Sequence, residues 1–200
     1  MRKSLLLLTG SILTWFFLQV SSYSYSSDPK QFITEIVDEA KIVLNSNISK
    51  DEKAKKLSEI ALKTVDIKGI GYYTLGSKRK ELSPDELKKY EEIFQKYFLK
   101  SFTSRLTDYS DPKIDVLSAE VLNEKYTIVK TLLLATDKKP EVKIDWRIYT
   151  KDPNKPLIRD LIVEGLKLAR TQKEEFSSIL ASNNNDINAL FTKLEEFINQ

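Results

Sequence analysis

The sequence predicts an α+β fold in which several amphipathic helices cover a four-stranded antiparallel sheet. Three observations predict this fold. Residues 28–106 carry apolar side chains at helical spacing, residues 113–163 carry the alternation and the turn signals of strands, and helical spacing returns after residue 165. Strands that follow one another in this way pair as a meander, and the helices before and after them gather on one side of the sheet.

The first 22 residues are predicted to be an export signal, and residues 23–200 to be one folded domain. Arg2 and Lys3 precede an apolar run at residues 5–20, and a stretch rich in serine and tyrosine follows it. The run is shorter than the roughly 20 residues of a membrane-spanning helix, although an uncleaved membrane anchor is an alternative. Removal of the signal changes 32 basic residues to 30 against 29 acidic ones, so the net charge falls from +3 to +1. This charge gives no argument for a nucleic-acid partner.

The sequence contains neither cysteine nor histidine, which excludes several kinds of chemistry. Ser-His-Asp and Cys-His catalysis need histidine, and thiolate or imidazole zinc sites need one of these two residue types. We therefore expect no enzyme activity, no metal site and no cofactor. Asp145 and Asp160, on neighbouring predicted strands, are the one acid–base pair that can be suggested.

Helix signals precede each apolar stretch in the first half of the chain. Asp28 is an expected N-cap with Pro29 after it, and Ser49 with Glu52 and Ser83 with Glu86 form expected capping boxes. Gly76 is an expected C-cap that ends a short third helix. The longest helix carries apolar residues four apart, mostly aromatic, at Leu87, Tyr90, Phe94, Phe98, Phe102 and Leu106. This spacing suits a packed core and the wall of a cavity equally well.

The strands follow a break at Asp111 and Pro112. Residues 113–122 change phase near Leu117, which predicts a β-bulge there. Residues 126–135 form the second predicted strand. Residues 142–149 alternate cleanly and place Trp146 and Arg147 on opposite faces, and residues 157–163 form the fourth strand. Glu164 and Gly165 then lead into a predicted helix with Leu166, Ala169 and Phe176, and Asp186 is the expected N-cap of a last amphipathic helix.

Four stretches together resemble the MlaC family, also called the toluene-tolerance family. They are residues 72–76 (YYTLG), the spaced apolar residues from Tyr90 through Leu106 to Tyr109, residues 144–148 (IDWRI), and residues 160–165 (DLIVEG) followed by Phe176. The resemblance covers residues 29–198. The chain departs from the family pattern at Pro156, Lys167, Lys173 and Arg79-Lys80, which affects any detailed assignment of head-group contacts or docking surfaces.

The resemblance implies a periplasmic phospholipid carrier that shields acyl chains in a hydrophobic cavity. Such a carrier exchanges lipid with an inner-membrane ABC lipid transporter complex and an outer-membrane lipoprotein–porin complex, and so maintains the lipid asymmetry of the outer membrane. A carrier needs a large apolar cavity enclosed by its helices and sheet. The residues that we expect to line it are Leu75, Phe94, Phe98, Phe102, Val116, Val129, Leu133, Ile144, Trp146, Ile148, Val163 and Leu166.

Two other classes of protein remain open from the sequence. One is a hydrolase or isomerase on a cystatin-like or NTF2-like sheet with a helical cover, which would use Asp145 and Asp160. The other is a periplasmic chaperone-like module that binds apolar peptides, which an open groove or an exposed sheet edge would indicate.

Overall fold

Helices, then strands, then helices follow one another along the chain. The structure, a computed structural model, describes residues 24–107, 111–137 and 140–200. The helices among them are α1 (Pro29–Asn45), α2 (Lys50–Thr64), α3 (Ile67–Leu75), α4 (Pro84–Leu106), α5 (Leu168–Ala181) and α6 (Ile187–Ile198), and a 3-10 turn occupies Gly76–Lys80. The strands are β1 (Ile114–Asn123), β2 (Tyr126–Leu133), β3 (Val142–Tyr149), β4 (Leu157–Val163) and β5 (Leu166–Lys167). The predicted export signal and Tyr109 lie outside the described residues.

The helices begin where the sequence places their caps. The side chain of Asp28 accepts the backbone N–H of Gln31, and Ser49 and Ser83 each form a complete capping box with the glutamate three residues on. Asp186 caps α6 by accepting the N–H of Asn188. These contacts satisfy N–H groups that have no partner inside a helix. Gly76 ends α3 with a positive φ of 57°, a conformation that glycine adopts without steric cost.

The sheet is antiparallel throughout, in the order β1-β2-β3-β4-β5. It has five strands, one more than the sequence predicts, because Glu164 and Gly165 form a two-residue hairpin turn with φ values of 49° and 82°. The hairpin brings Leu166 opposite Val163. The prediction that Leu166 belongs to the following helix is therefore wrong: α5 begins at Leu168.

Besides a register shift between Val121 and Asn123 beside the β1–β2 turn, two bulges interrupt the ladders of this sheet. The register of β1 against β2 shifts between Val116 and Ser118, which confirms the bulge predicted at Leu117. Lys30 on α1 donates its ammonium N–H to the carbonyl oxygen of Leu117 at 2.9 Å. The second bulge lies between β3 and β4, where Arg147 is opposite Asp160 but Ile148 is opposite Ile158. Arg159 is the extra residue of this second bulge, which the alternation of the sequence does not reveal.

The buried apolar side chains form two separate clusters. The helical core joins α3, α4, α5 and α6, with Tyr90, Phe94 and Phe176 among its members. The sheet core joins α1 and α2 to the inner face of the sheet, with Phe32 and Val129 among its members. Val65, between α2 and α3, packs against both cores and pairs with Ile158 through a parallel bridge. The two cores therefore meet at the junction of α2 and α3.

No helix within the described residues has the length and apolarity that are needed to cross a bilayer.

The hydroxyl of Tyr90 is expected to stabilise the contact between α3 and α4. Tyr90 is fully buried, and its Oη lies 2.8 Å from Thr74 Oγ1 and donates to the carbonyl oxygen of Gly71 at 3.2 Å. Tyr90→Phe keeps the ring but leaves these buried groups with one partner fewer, so the free energy of unfolding should fall by about 1–3 kcal/mol. Urea denaturation measures this change. Tyr73→Phe, at an exposed tyrosine of α3, is the control and should change it by less than about 0.5 kcal/mol. Equal losses in the two variants would refute this role.

Candidate functional site

A cavity of about 630 Å³ lies between the two cores. Its walls come from α1, α2, α4 and α5, from Ile70 of α3, and from the inner face of the sheet. They are mainly apolar, and polar side chains that include Lys41, Arg105, Gln172 and Glu175 belong to the same lining. Apolar walls with few polar groups, at this volume, are typical of sites for small apolar or amphipathic molecules.

The aromatic face of α4 forms one wall. Phe94 and Phe98 have ring centroids 6.2 Å apart, and Phe98 and Phe102 stack with centroids 6.1 Å apart. Phe94 is buried in the helical core, whereas Phe98 and Phe102 are half-buried and leave ring surface free. The four-residue spacing places all three rings on one side of the helix, and Phe98 and Phe102 are more exposed than Phe94.

Trp146 and its neighbours form the opposite wall. Val129 and Trp146 are direct partners on β2 and β3, as are Thr131 and Ile144. The indole N–H of Trp146 donates to Thr131 Oγ1 at 2.9 Å, so the polar atom of this side chain has a partner inside the sheet. The ring is thereby held in one orientation and presents apolar surface to the cavity.

Eight of the twelve side chains predicted to line a cavity do so: Phe94, Phe98, Phe102, Leu133, Ile144, Trp146, Val163 and Leu166. Leu166 does so from β5, where it is 55% exposed. The other four lie outside this lining. Leu75 is buried in the helical core, Val129 and Ile148 are fully buried in the sheet core, and Val116 packs at the edge of the sheet core. All four are apolar like the lining residues, but Leu75, Val129 and Ile148 are enclosed by protein atoms and Val116 is half-buried at the sheet edge.

Sequence reasoning missed the contribution of α1, α2 and α5, and of Leu161 on β4, to this cavity. The residues concerned are Ile36, Val37, Ala40, Leu44, Leu57, Ile60, Ala61, Leu161, Leu168 and Ala169. The amphipathic spacing of α1 and α2 identifies their buried faces, but it does not show that part of each face borders empty space. The sequence did offer one signal for the cavity. The apolar stripe on these helices is wider than a single packing partner can cover.

Asp160 is a buried carboxylate in the wall between the sheet and α5. Its side chain is 7% exposed, and Oδ1 accepts the backbone N–H of Ala169 at 2.9 Å near the start of α5. Burial raises the pKa of this carboxyl above its usual value, while hydrogen bonds from the backbone N–H groups of Ala169 and Leu161 and the charge of Arg147 lower it in part. Asp160 thus holds β4 against α5.

Asp145 and Asp160 lie on the same face of neighbouring strands, but each is opposite a different residue. Asp145 is opposite Ile162, and Asp160 is opposite Arg147. Within residues 24–107, 111–137 and 140–200, no group of three or more acidic side chains is placed to hold a metal ion.

The fold and the cavity together define a class of protein: a small α+β domain that keeps an apolar chamber between its helices and the inner face of its sheet. The family model described as MlaC protein matches residues 33–196. The chain therefore belongs to the MlaC family, and the family predicted from the four sequence motifs is confirmed.

The fold is similar to that of a phospholipid-binding protein from Ralstonia solanacearum, whose structure was determined in complex with a phospholipid. The TM-score is 0.73 at 15% sequence identity, and the match covers 88% of this chain and 98% of the other. At this identity the likeness is evidence for the fold. Among curated protein sequences, none matches the chain.

Asp160→Asn is expected to change how stability depends on pH. The folded chain binds the Asp160 proton more tightly than the unfolded chain, so the wild type loses stability as pH rises from the usual carboxyl pKa through the raised one. Asparagine does not titrate and can still accept the N–H of Ala169. The free energy of unfolding of Asp160→Asn minus that of the wild type should therefore increase as pH rises from the usual carboxyl pKa through the raised pKa of Asp160. Urea denaturation at several pH values measures this difference, and a constant or falling difference would contradict the assignment.

Proposed function

We propose that this protein is a periplasmic phospholipid carrier. It holds the acyl chains of one phospholipid in the cavity and shuttles the lipid between outer- and inner-membrane complexes, which maintains outer-membrane lipid asymmetry. The observation that carries the proposal is the apolar cavity between the helical core and the sheet core. Membership of the MlaC family and the fold shared with a phospholipid-binding protein support it.

The free energy of transfer fits such a role. Two acyl chains contain about 30 methylenes, and removing each from water is favourable by about 0.8 kcal/mol, or roughly 24 kcal/mol in all. Transfer of the same chains from water into a bilayer is favourable by nearly the same free energy. An apolar cavity that matches the bilayer therefore makes the net free energy of transfer small, and lipid can move in either direction. Lipid transfer requires that the acyl chains be shielded from water, and no covalent bond is made or broken. This is consistent with a carrier that is not an enzyme.

The aromatic face of α4 and the wall around Trp146 are the surfaces on which the chains would lie. Phe98 and Phe102 present free ring surface on one side, and Ile144 and Trp146 face the cavity from the sheet. All the lining residues named above are proposed lipid contacts. Leu75, Val116, Val129 and Ile148 would support these walls from behind, since they pack in the two cores.

The partners and the location follow from the same proposal. Residues 1–22 would direct export and be removed, and residues 23–200 would act in the periplasm. The protein would receive or deliver lipid at an inner-membrane ABC lipid transporter complex and at an outer-membrane lipoprotein–porin complex.

Native mass spectrometry of the mature protein, purified from a periplasm, tests the cargo. We expect a mass increment of one diacyl phospholipid that disappears after solvent extraction, and analysis of the extract identifies the lipid. A mass equal to that of the protein without lipid, under conditions in which a known lipid carrier keeps its ligand, would contradict the proposal.

Ser101→Trp should reduce lipid binding by filling the cavity. Ser101 lines the cavity from α4, and the larger side chain would occupy space that an acyl chain needs. Ser104, one turn away on the same helix, is exposed and does not belong to the lining, so Ser104→Trp is the matched control. We expect the fraction of protein that carries lipid to fall severalfold in Ser101→Trp and to stay unchanged in Ser104→Trp. Thermal unfolding of both variants checks that they are folded, and unchanged loading of a folded Ser101→Trp would contradict the cavity assignment.

The second candidate, a module that binds apolar peptides, draws support from β1. This edge strand exposes Leu117, Val121 and Leu122 to solvent. A peptide bound along this edge would be unaffected by Ser101→Trp, whereas a lipid in the cavity would be displaced. The same variant therefore separates the two functions.

A further inference from the structure

A second cavity, of about 450 Å³, opens on the outer face of the sheet. Its charged lining side chains are Arg79, Arg147, Arg159 and Asp160, and tyrosines of α3 and β2 line the same space. Arg147 is on the strand face opposite Trp146. The second cavity is therefore separated by the sheet from the 630 Å³ apolar cavity, which we call the acyl-chain cavity. We call the second cavity the arginine pocket.

The bulge in β4 builds this pocket. In a regular strand, neighbouring residues point to opposite faces of the sheet. Because Arg159 is the extra residue between Ile158 and Asp160, both Arg159 and Asp160 lie on the outer side while Ile158 stays inside. The bulge therefore adds a second guanidinium to the face that already holds Arg147.

The guanidinium groups rest on tyrosine rings. The Cζ atom of Arg147 lies 4.0 Å from the ring centroid of Tyr126, and that of Arg159 lies 3.6 Å from the ring centroid of Tyr149. Arg79, on the 3-10 turn, lies 5.1 Å above the ring of Tyr72. Stacking uses the flat faces of a guanidinium and leaves the N–H groups at its edges available.

Two of the three guanidiniums form no ion pair in the part of the chain that the structure describes, although Arg147 acts on Asp160 at longer range. Arg159 donates to Asp66 at 2.6 Å and to the hydroxyl of Tyr126 at 3.3 Å. Arg147 and Arg79 have no carboxylate within 4.0 Å among residues 24–107, 111–137 and 140–200, and no acceptor for their N–H groups there. Asp160, the acidic side chain that lines the pocket, turns Oδ1 towards the N–H of Ala169. The pocket thus holds an excess of positive charge with free donors.

We propose that the arginine pocket binds the oxyanion of a phosphate ester. Guanidinium groups from the 3-10 turn and from two strands surround one open space, and planar forks of N–H donors match the oxygens of a phosphate group. The stacked tyrosines fix the arginines before the anion arrives, so little side-chain entropy is lost on binding. This site goes beyond the carrier function, because it does not require the acyl-chain cavity to be occupied.

The phosphate ester has two possible sources. Ile70, Asp160 and Ala169 line both cavities, so the phosphate of a lipid held in the acyl-chain cavity is one source. A free phosphate ester from solution is the other, because the arginine pocket is open to solvent. The chemistry of recognition is the same for both.

Isothermal titration with glycerol 3-phosphate at low ionic strength tests the site on lipid-free and lipid-loaded fractions of the protein. We expect saturable binding by the lipid-free wild type, and at least about tenfold weaker binding by Arg147→Gln and by Arg79→Gln. Arg79 is exposed, so its replacement leaves the fold intact even if Arg147→Gln destabilises the sheet. Arg170→Gln is the matched control, since Arg170 is exposed on α5 and pairs with Glu174. Glycerol is the uncharged control ligand.

The lipid-loaded fraction identifies the source. Loss of glycerol 3-phosphate binding in that fraction supports the site and places the phosphate of the carried lipid in the pocket. Equal binding by both fractions supports the site and identifies a free phosphate ester as its ligand. Absence of saturable binding to the lipid-free wild type, or unchanged affinity in both Arg147→Gln and Arg79→Gln, overturns the proposal. Neither of these results bears on lipid in the other cavity, which mass spectrometry detects independently.

Discussion

The division of the apolar side chains into two cores is the constraint on which the rest of the structure depends. An empty apolar space loses contacts for every atom that borders it, so walls that are able to move together will close it. Here α4 is held by α3, α5 and α6, while α1 and α2 are held by the sheet. Each wall of the cavity is fixed by packing on its far side, and Val65 joins the two cores at one end. The cavity remains open because each of its walls packs against one of the two cores and cannot move inward without losing those contacts.

The sheet has a different chemistry on each face, and β3 shows both. Ile144, Trp146 and Ile148 face inward, whereas Asp145, Arg147 and Tyr149 face outward. The inner face borders the apolar cavity, and the outer face carries arginine side chains that lie over tyrosine rings. A single strand with strict alternation separates the two environments by the thickness of one sheet.

Much of the fold was predictable because caps and periodicity are local properties of the sequence. The N-caps of α1, α2, α4 and α6, the bounds of β3 and β4, and the bulge at Leu117 all follow from neighbouring residues. The hairpin at Glu164 and Gly165 was not predicted, because the same two residues also suit the entry to a helix. The bulge at Arg159 was not predicted either, because polar residues at positions 159 and 160 leave no phase change in the apolar pattern.

The cavity was predictable only in part, for a physical reason. A side chain in a packed core and one beside an empty space must both be apolar, so Val129 and Phe98 give the same signal in the sequence. The two side chains differ in their neighbours in the folded protein, and these neighbours depend on the tertiary packing. Val129 is fully buried among the side chains of the sheet core, whereas Phe98 borders the cavity.

The bulge at Leu117 also affects how copies of this protein meet one another. A regular edge strand with Val121 and Leu122 exposed would be a template for a strand from a second copy, and such pairing leads to aggregation. The bulge breaks the even row of hydrogen-bonding groups, and Lys30 covers the carbonyl oxygen of Leu117 with a positive charge. Edge-to-edge growth of the sheet is thereby opposed at β1, a long edge strand whose residues are mostly exposed.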